Sequence, residues 1–277
     1  MSEIGKINNL QIIKELDFGI YLDGKEFGEI LLPKRYVPEN YKIDDFIDVF
    51  IYRDSEERLI ATTEKPYAMV GDFAFLKVLT INEIGAFLDW GLTKDLFVPF
   101  REQKQKMQKG NFYLVFVYLD NESNRIAASS RLDKFLNKTP ADYQINQEVD
   151  LIIRNKTDMG YKVIINNSHS GVLYKNEVFQ TLKEGQKIKG FIKKIREDEK
   201  IDVSLQKSGY EKVEKLTEKI INKLKENNGF ISVTDKTSPE IIYNTFGVSK
   251  KTYKKSIGVL YKKRIINIEK DGIKLNN

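Results

Sequence analysis

Between residues 71 and 131 the chain alternates short apolar runs with turn signals. The runs fall at roughly 73–81, 84–90, 94–100, 112–119 and 125–129. Each is rich in Val, Ile, Leu or Phe and is bounded by Gly, Asp, Asn or Lys, the punctuation of half-buried strands. The polar stretch at 101–108 (REQKQKMQ) predicts a helical insert. Five regularly spaced strands with one insert predict a small closed barrel.

The pattern recurs on both sides. Residues 17–22 read DFGIYL, 84–88 read IGAFL and 159–163 read MGYKV. Gly19, Gly85 and Gly160 stand 66 and 75 positions apart, and each is followed later by a charged turn: YRDSEERLIAT, YLDNESNRIAAS and IREDEKIDVS. A period of about 70 residues is too long for a solenoid unit and long enough for a barrel with its own core. The expected domains are barrels at 1–66, 67–138 and 139–208, with Pro66 and Pro140 at the joins.

After Ser208-Gly209 the spacing becomes helical. Val213, Leu216, Ile220, Ile221 and Leu224 predict an amphipathic helix, and Asn228-Gly229 a stop. Ser238-Pro239 is an N-cap followed by a first-turn proline, and that helix ends before Gly247. Ser249 caps a third helix, and RIINIEKDGIKL predicts a hairpin turning at Asp271-Gly272. The overall expectation is a mostly β chain of three tandem five-stranded barrels, followed by an α+β domain over 209–277.

Composition narrows the chemistry. With no cysteine and one histidine, His169, thiol chemistry, disulfides, His-based triads and multi-His metal sites are excluded. The acidic groups Asp44-Asp45-Asp48 and Glu197-Asp198-Glu199 suit solvated turns, and His169 is read as a loop residue. No apolar run suits a signal core or membrane helix, so a cytoplasmic protein without cofactor or catalytic site is expected. The net charge of +6 is uneven. Residues 209–277 hold 15 Lys and Arg against 8 Asp and Glu, whereas 1–67 hold 9 against 14.

The run Gly85-Ala86-Phe87-Leu88 with its closing charged strand resembles the S1 RNA-binding domain, an OB-fold barrel. The three helices closed by a hairpin resemble a winged helix-turn-helix. In this order the modules resemble the conserved virulence factor B family of bacterial RNA-binding regulators, also called YitL-like. That resemblance implies a non-enzymatic, cytoplasmic RNA-binding protein acting on gene expression.

It also implies where binding residues lie. The S1 face carries an aromatic just before the glycine, another two after it, a third-strand His, and an Asp and an Arg from the last loop. Phe18, Tyr21, Asp54 and Arg58 match in the first barrel, with Leu31 in the His place. Phe87, Asp120 and Arg125 match in the second, where Ile84 and Val98 depart. Met159 and Lys162 replace both aromatics in the third, with Tyr174, Arg196 and Lys200 at the remaining places. A ring in a small barrel is as readily core as contact, and Trp90 is read as packing. Asp120 and Arg125 could simply pair across their turn.

In the third helix of the C-terminal domain, Tyr253, Ile257 and Leu260 share an inward stripe. Lys251, Lys255 and Lys262 fall opposite, with Gly258 among them; Lys250 and Lys254 flank them. This stripe has no Arg, Asn or Gln for bidentate base contacts, so sequence-tolerant phosphate contact is expected.

The leading expectation is single-stranded RNA held by the second and third barrels and the winged helix. The acidic first barrel would be an accessory. Two other readings stay open: a DNA-binding transcription regulator that places the winged helix on duplex DNA, and a scaffold on ribosomes or RNA polymerase. Because residues 209–277 carry a net +7, deleting them is expected to flatten the dependence of log K for RNA on log salt. An unchanged slope in a salt titration would refute this.

Overall fold

The computed structural model describes residues 1–178, 180–207 and 210–276, and of 210–215 the backbone alone. The expected Ser208-Gly209 boundary and the Val213 side chain lie outside the described residues. The chain forms two compact units, Met1–Lys138 and Thr139–Asn277.

The first unit holds two closed five-stranded barrels. The first is built from β1 (Ile7–Leu16), β2 (Gly19–Asp23), β3 (Glu29–Pro33), β4 (Phe46–Arg53) and β5 (Leu59–Thr62). The second is built from β6 (Phe73–Ile81), β7 (Gly85–Leu88), β8 (Leu96–Pro99), β9 (Phe112–Leu119) and β10 (Ile126–Ser129). The second unit opens with a third barrel of β11 (Glu148–Thr157), β12 (Gly160–Ile165), β13 (His169–Tyr174), β14 (Lys187–Ile195) and β15 (Ile201–Ser204). All three close in one order, first strand to second, third, fifth and fourth. The third and fifth strands run parallel, and the other pairs are antiparallel.

Two devices repeat in each barrel. The first strand carries a register shift, at Ile12/Lys14, Val78/Thr80 and Ile153/Asn155. Such a bulge bends the strand so that it pairs with a neighbour on each side. The recurring glycine sits where the second strand presses on the third. A Cβ on Gly19, Gly85 or Gly160 would stand 2.3, 2.3 or 2.1 Å from the carbonyl oxygen of Leu32, Val98 or Leu173.

The first two barrels share a core. Phe50 and Tyr52 of β4 are buried with Trp90, Leu92 and Leu96, and the Phe50 and Trp90 rings meet edge to face at 5.6 Å. Trp90 is thus packing, and its indole N–H donates to the Lys94 carbonyl.

The second unit ends with α1 (Tyr210–Glu226), β16 (Phe230–Ile231), α2 (Pro239–Phe246), α3 (Lys250–Lys262), β17 (Ile266–Ile268) and β18 (Ile273–Leu275). Ser238 and Ser249 cap α2 and α3 through their side chains. Leu216, Ile220, Leu224, Ile242, Phe246, Tyr253, Ile257 and Leu260 form the core. The hairpin is joined by the two-residue strand β16, giving the sheet order β16-β18-β17; a strand so short leaves no periodicity to read. The result is a winged helix. No helix among the described residues is long and apolar enough to cross a membrane.

Two local expectations fail. Residues 101–108 form no helix beyond one 3-10 turn at Phe100–Glu102. The stretch is held by side chains instead. Glu102 accepts from the Ser129 hydroxyl at 2.6 Å and pairs with Lys134 at 2.7 Å. The Gln103 amide donates to the Val98 carbonyl and accepts from the Met107 N–H. His169 is not in a loop: it opens β13, buried, with Nδ1 2.8 Å from the Tyr143 hydroxyl and Nε2 2.8 Å from the Thr139 carbonyl.

The glycine contact is testable. Gly85→Ala should force β7 off β8 and cost about 1–3 kcal/mol, the usual range for overpacking. Urea unfolding of the variant checks this; an unchanged midpoint would refute the close approach.

Candidate nucleic-acid interface

Register decides which side chains share the outer wall of each barrel. Gly85 pairs with Pro99, Ala86 with Val98, Phe87 with Phe97 and Leu88 with Leu96. Alternation sends Ala86, Leu88, Leu96 and Val98 inward, where all four are buried. Phe87 and Phe97 therefore stand side by side on the outside, half-buried, their ring centroids 5.2 Å apart.

This corrects the third-strand assignments. Leu31 pairs with Tyr21, Val98 with Ala86 and Tyr174 with Gly160, so the three are not equivalent positions. Tyr174 corresponds to Pro33 and Pro99, which face Gly19 and Gly85. Phe97, missed by sequence reasoning, faces the second aromatic. Counting pairs outward from Gly85 would have found it.

Phe87 and Phe97 line a cleft of about 790 Å³. The second barrel gives it the cations Lys94, Arg101 and Arg125, and Tyr118, Asp95 and Asp120 also line it. Ile84, in the place of the first aromatic, is 60% exposed at its edge. One wall belongs to the first barrel, whose Tyr52, Arg53, Ser55 and Glu57 face the cleft from β4 and the turn after it.

Arg125 and Asp120 do not pair through their side chains. Asp120 closes its own turn by accepting from the Ser123 hydroxyl at 2.5 Å, and that hydrogen bond holds its carboxyl below the usual range. Arg125 reaches across to the first barrel, with Nε 2.8 Å from Glu57 Oε2. Lys94 Nζ donates to the Arg53 and Asp54 carbonyls at 3.0 and 2.7 Å and lies 3.8 Å from Glu57. Burial pushes its pKa down, with Glu57 working against that shift. Sequence reasoning also missed Lys94, Arg101, Tyr118 and Glu57. For Glu57 no local signal exists, because its partner is 68 residues away.

In the first barrel Phe18 is 55% exposed and meets Tyr21 edge to face at 6.3 Å. Lys14 lies 4.7 Å over the Tyr21 ring but is paired with Glu29. Arg58 is held by Asp54 through Nε and an Nη at 3.0 and 2.8 Å, and by Glu56 at 2.9 Å.

In the third barrel Lys162 and Met159 are exposed. Arg196 lies over the Tyr174 ring, bonds its hydroxyl and pairs with Asp202 at 2.8 Å. Lys200 pairs with Asp198 at 2.7 Å. The cationic face expected here is thus largely neutralised within the barrel.

On α3, Tyr253, Ile257 and Leu260 are buried, and Lys251, Lys255 and Lys262 are exposed. Among the described residues these three lysines meet no carboxylate, whereas Lys254 lies 3.5 Å from Asp235. Nothing stands within 4 Å of where a Cβ on Gly258 would be, so the helix surface is open there.

Comparison with known proteins agrees with this architecture. The S1 domain family model matches residues 4–64 and 70–130, and the CvfB-like winged helix domain model matches 218–275. YitL of Bacillus subtilis is 26% identical over 268 residues, 93% of this chain and 89% of its own length. Conserved virulence factor B of Staphylococcus aureus (strain USA300) is 26% identical over 281 residues, 98% of this chain and 94% of its own length. A crystal structure from Streptococcus pneumoniae, described as a multidomain protein with nucleic acid binding domains, is 25% identical and covers 99% of this chain and 98% of its own. Its TM-score of 0.41 is too low to bear on the fold. S1 and winged-helix modules bind nucleic acid and carry no catalytic machinery of their own. By family, the chain matches the CvfB- and YitL-like proteins, and its own S1 and winged-helix modules make it a nucleic-acid-binding chain.

Proposed function

We propose that the chain binds single-stranded RNA in the cytoplasm and regulates gene expression after transcription. The observation that carries this reading is the outward pair Phe87 and Phe97, set in a cleft with Lys94, Arg101 and Arg125. Bases stack on exposed rings whatever their identity, and cations beside the rings meet the backbone. A duplex keeps its bases stacked on one another, so a cleft of this kind favours unpaired strands. The lysines of α3 add a phosphate-contacting surface that serves RNA or duplex DNA equally. Competition among single-stranded RNA, single-stranded DNA and duplex DNA for the full chain tests the reading. Preference for duplex DNA would favour a transcription regulator, and no binding to any would favour a protein-contacting scaffold.

Glu57 sets a condition on this binding. Its carboxylate occupies Arg125 in the free protein, so a phosphate must compete for the guanidinium. Glu57→Gln is expected to tighten RNA binding and to steepen the plot of log K against log salt by about 0.7, one further counterion on a single strand. An unchanged slope would show that Arg125 makes no phosphate contact.

The barrels are also expected to differ. Phe87→Ala should weaken RNA binding by about 1–3 kcal/mol, the range for one stacked base. Tyr21→Ala should cost less, because Arg58 beside it is already held by two carboxylates. Titration of both variants, each with an unaltered melting curve, checks the order. A larger loss for Tyr21→Ala would make the first barrel the principal site.

A further inference from the structure

A second pair of rings lies on the second barrel outside the cleft. Phe75 of β6 and Phe112 of β9 are stacked, with centroids 5.6 Å apart and planes 23° from parallel. They are 36% and 52% exposed. The neighbouring inward positions, Ala74, Leu76 and Val78, are buried, so these two rings are not core residues at the edge of the barrel. Their position in the register places them on the outer wall.

Lysines stand near the pair in register and along the chain. Lys77 pairs with Phe112 across β6 and β9. Lys109 sits in the turn whose Gly110 N–H donates to the Val78 carbonyl. Lys104 and Lys106 lie in the same irregular segment of 101–110 and are exposed. Among the described residues none of these four lysine side chains forms an ion pair. An apolar patch meant for another protein's core needs no unpaired cation such as Lys77 beside it. Interleaved rings and cations suit a polyanion with flat bases.

The wall is continuous with the cleft. Along β6, Phe75 and Lys77 lead past the bulge to Thr80, which pairs with Phe87. That path is about 16 Å along the strand at roughly 3.3 Å per residue. We propose that Phe75 and Phe112, with Lys77 and Lys109, form a second stacking platform that holds single-stranded RNA leaving the Phe87–Phe97 cleft. This inference rests on the RNA reading above and extends its site around the barrel.

The platform predicts a dependence on RNA length. Two labelled oligouridylates are used, one of about 6 nucleotides, within the usual span of one OB barrel, and one of about 20, beyond it. They are titrated against the full chain by fluorescence anisotropy. Phe112→Ala should weaken the longer oligomer about fivefold or more, the lower end of one lost stacking contact, and leave the shorter unchanged. Phe87→Ala should weaken both. Lys77→Ala, at an exposed position, should weaken the longer oligomer selectively and lower its salt slope. Unchanged affinity of the longer oligomer for both Phe112→Ala and Lys77→Ala overturns the platform and assigns the patch to a protein partner. Failure of the unaltered chain to bind either oligomer overturns the RNA reading itself, and the platform with it.

Discussion

Each barrel depends on one close approach. The second strand meets the third with so little space that a glycine is required at Gly19, Gly85 and Gly160. That contact sets the register of the two strands, and register sets which side chains face outward. In the second barrel the residue two beyond the glycine is Phe87, and its partner two before Pro99 is Phe97. A slip by one residue would bury both rings and turn Ala86 and Val98 to solvent. The aromatic pair is therefore a consequence of backbone packing as much as of residue choice.

The same contact does not make three equal sites. The second barrel gains a wall because Phe50 and Tyr52 of the first barrel are buried against it. The Tyr36 hydroxyl lies 3.0 Å from the Thr93 hydroxyl, and Lys94 donates to two carbonyls at the end of β4. These contacts bring the turn after β4 to the cleft and Glu57 to Arg125. The first barrel is thus part of the second barrel's site, whatever its own ring pair does.

The barrels, the winged helix and the inward stripe of α3 were legible because they are written in local periodicity. Alternation marks strands, spacing near 3.6 marks helices, and Ser238 and Ser249 mark helix starts. The S1 resemblance also pointed to Phe87 and Arg125, which line one cleft. The failures have a different origin. Residues 101–108 are polar and read as helix, but their Glu102 and Gln103 bond to groups far away in sequence or across a turn. Phe97 is not legible from the resemblance, which fixes no strand pairing; only the register shows that Phe97 faces Phe87 while Val98, one residue on, points inward. Glu57 belongs to an acidic turn in one barrel and acts on an arginine in another, a relation that no window of sequence contains.

Charge on a surface matters by what it is already bound to, and this separates the modules more sharply than net charge does. The first barrel has the fuller aromatic set, but Arg58 is held by Asp54 and Glu56, and Lys14 by Glu29. In the third barrel Arg196 and Lys200 are held by Asp202 and Asp198. A phosphate approaching these groups must break existing pairs, and the Asp54 and Asp202 carboxylates are largely covered. In the second barrel Arg125 and Lys94 share Glu57 and Lys134 is held by Glu102, whereas Arg101, Lys77 and Lys109 form no ion pair among the described residues. The α3 lysines at 251, 255 and 262 are exposed and form no ion pair among the described residues. Among the candidate contact residues, the cations free of a carboxylate partner among the described residues are Arg101, Lys77 and Lys109 on the second barrel, Lys162 on the third, and the three α3 lysines, so what each cation is already bound to sorts them differently from net charge.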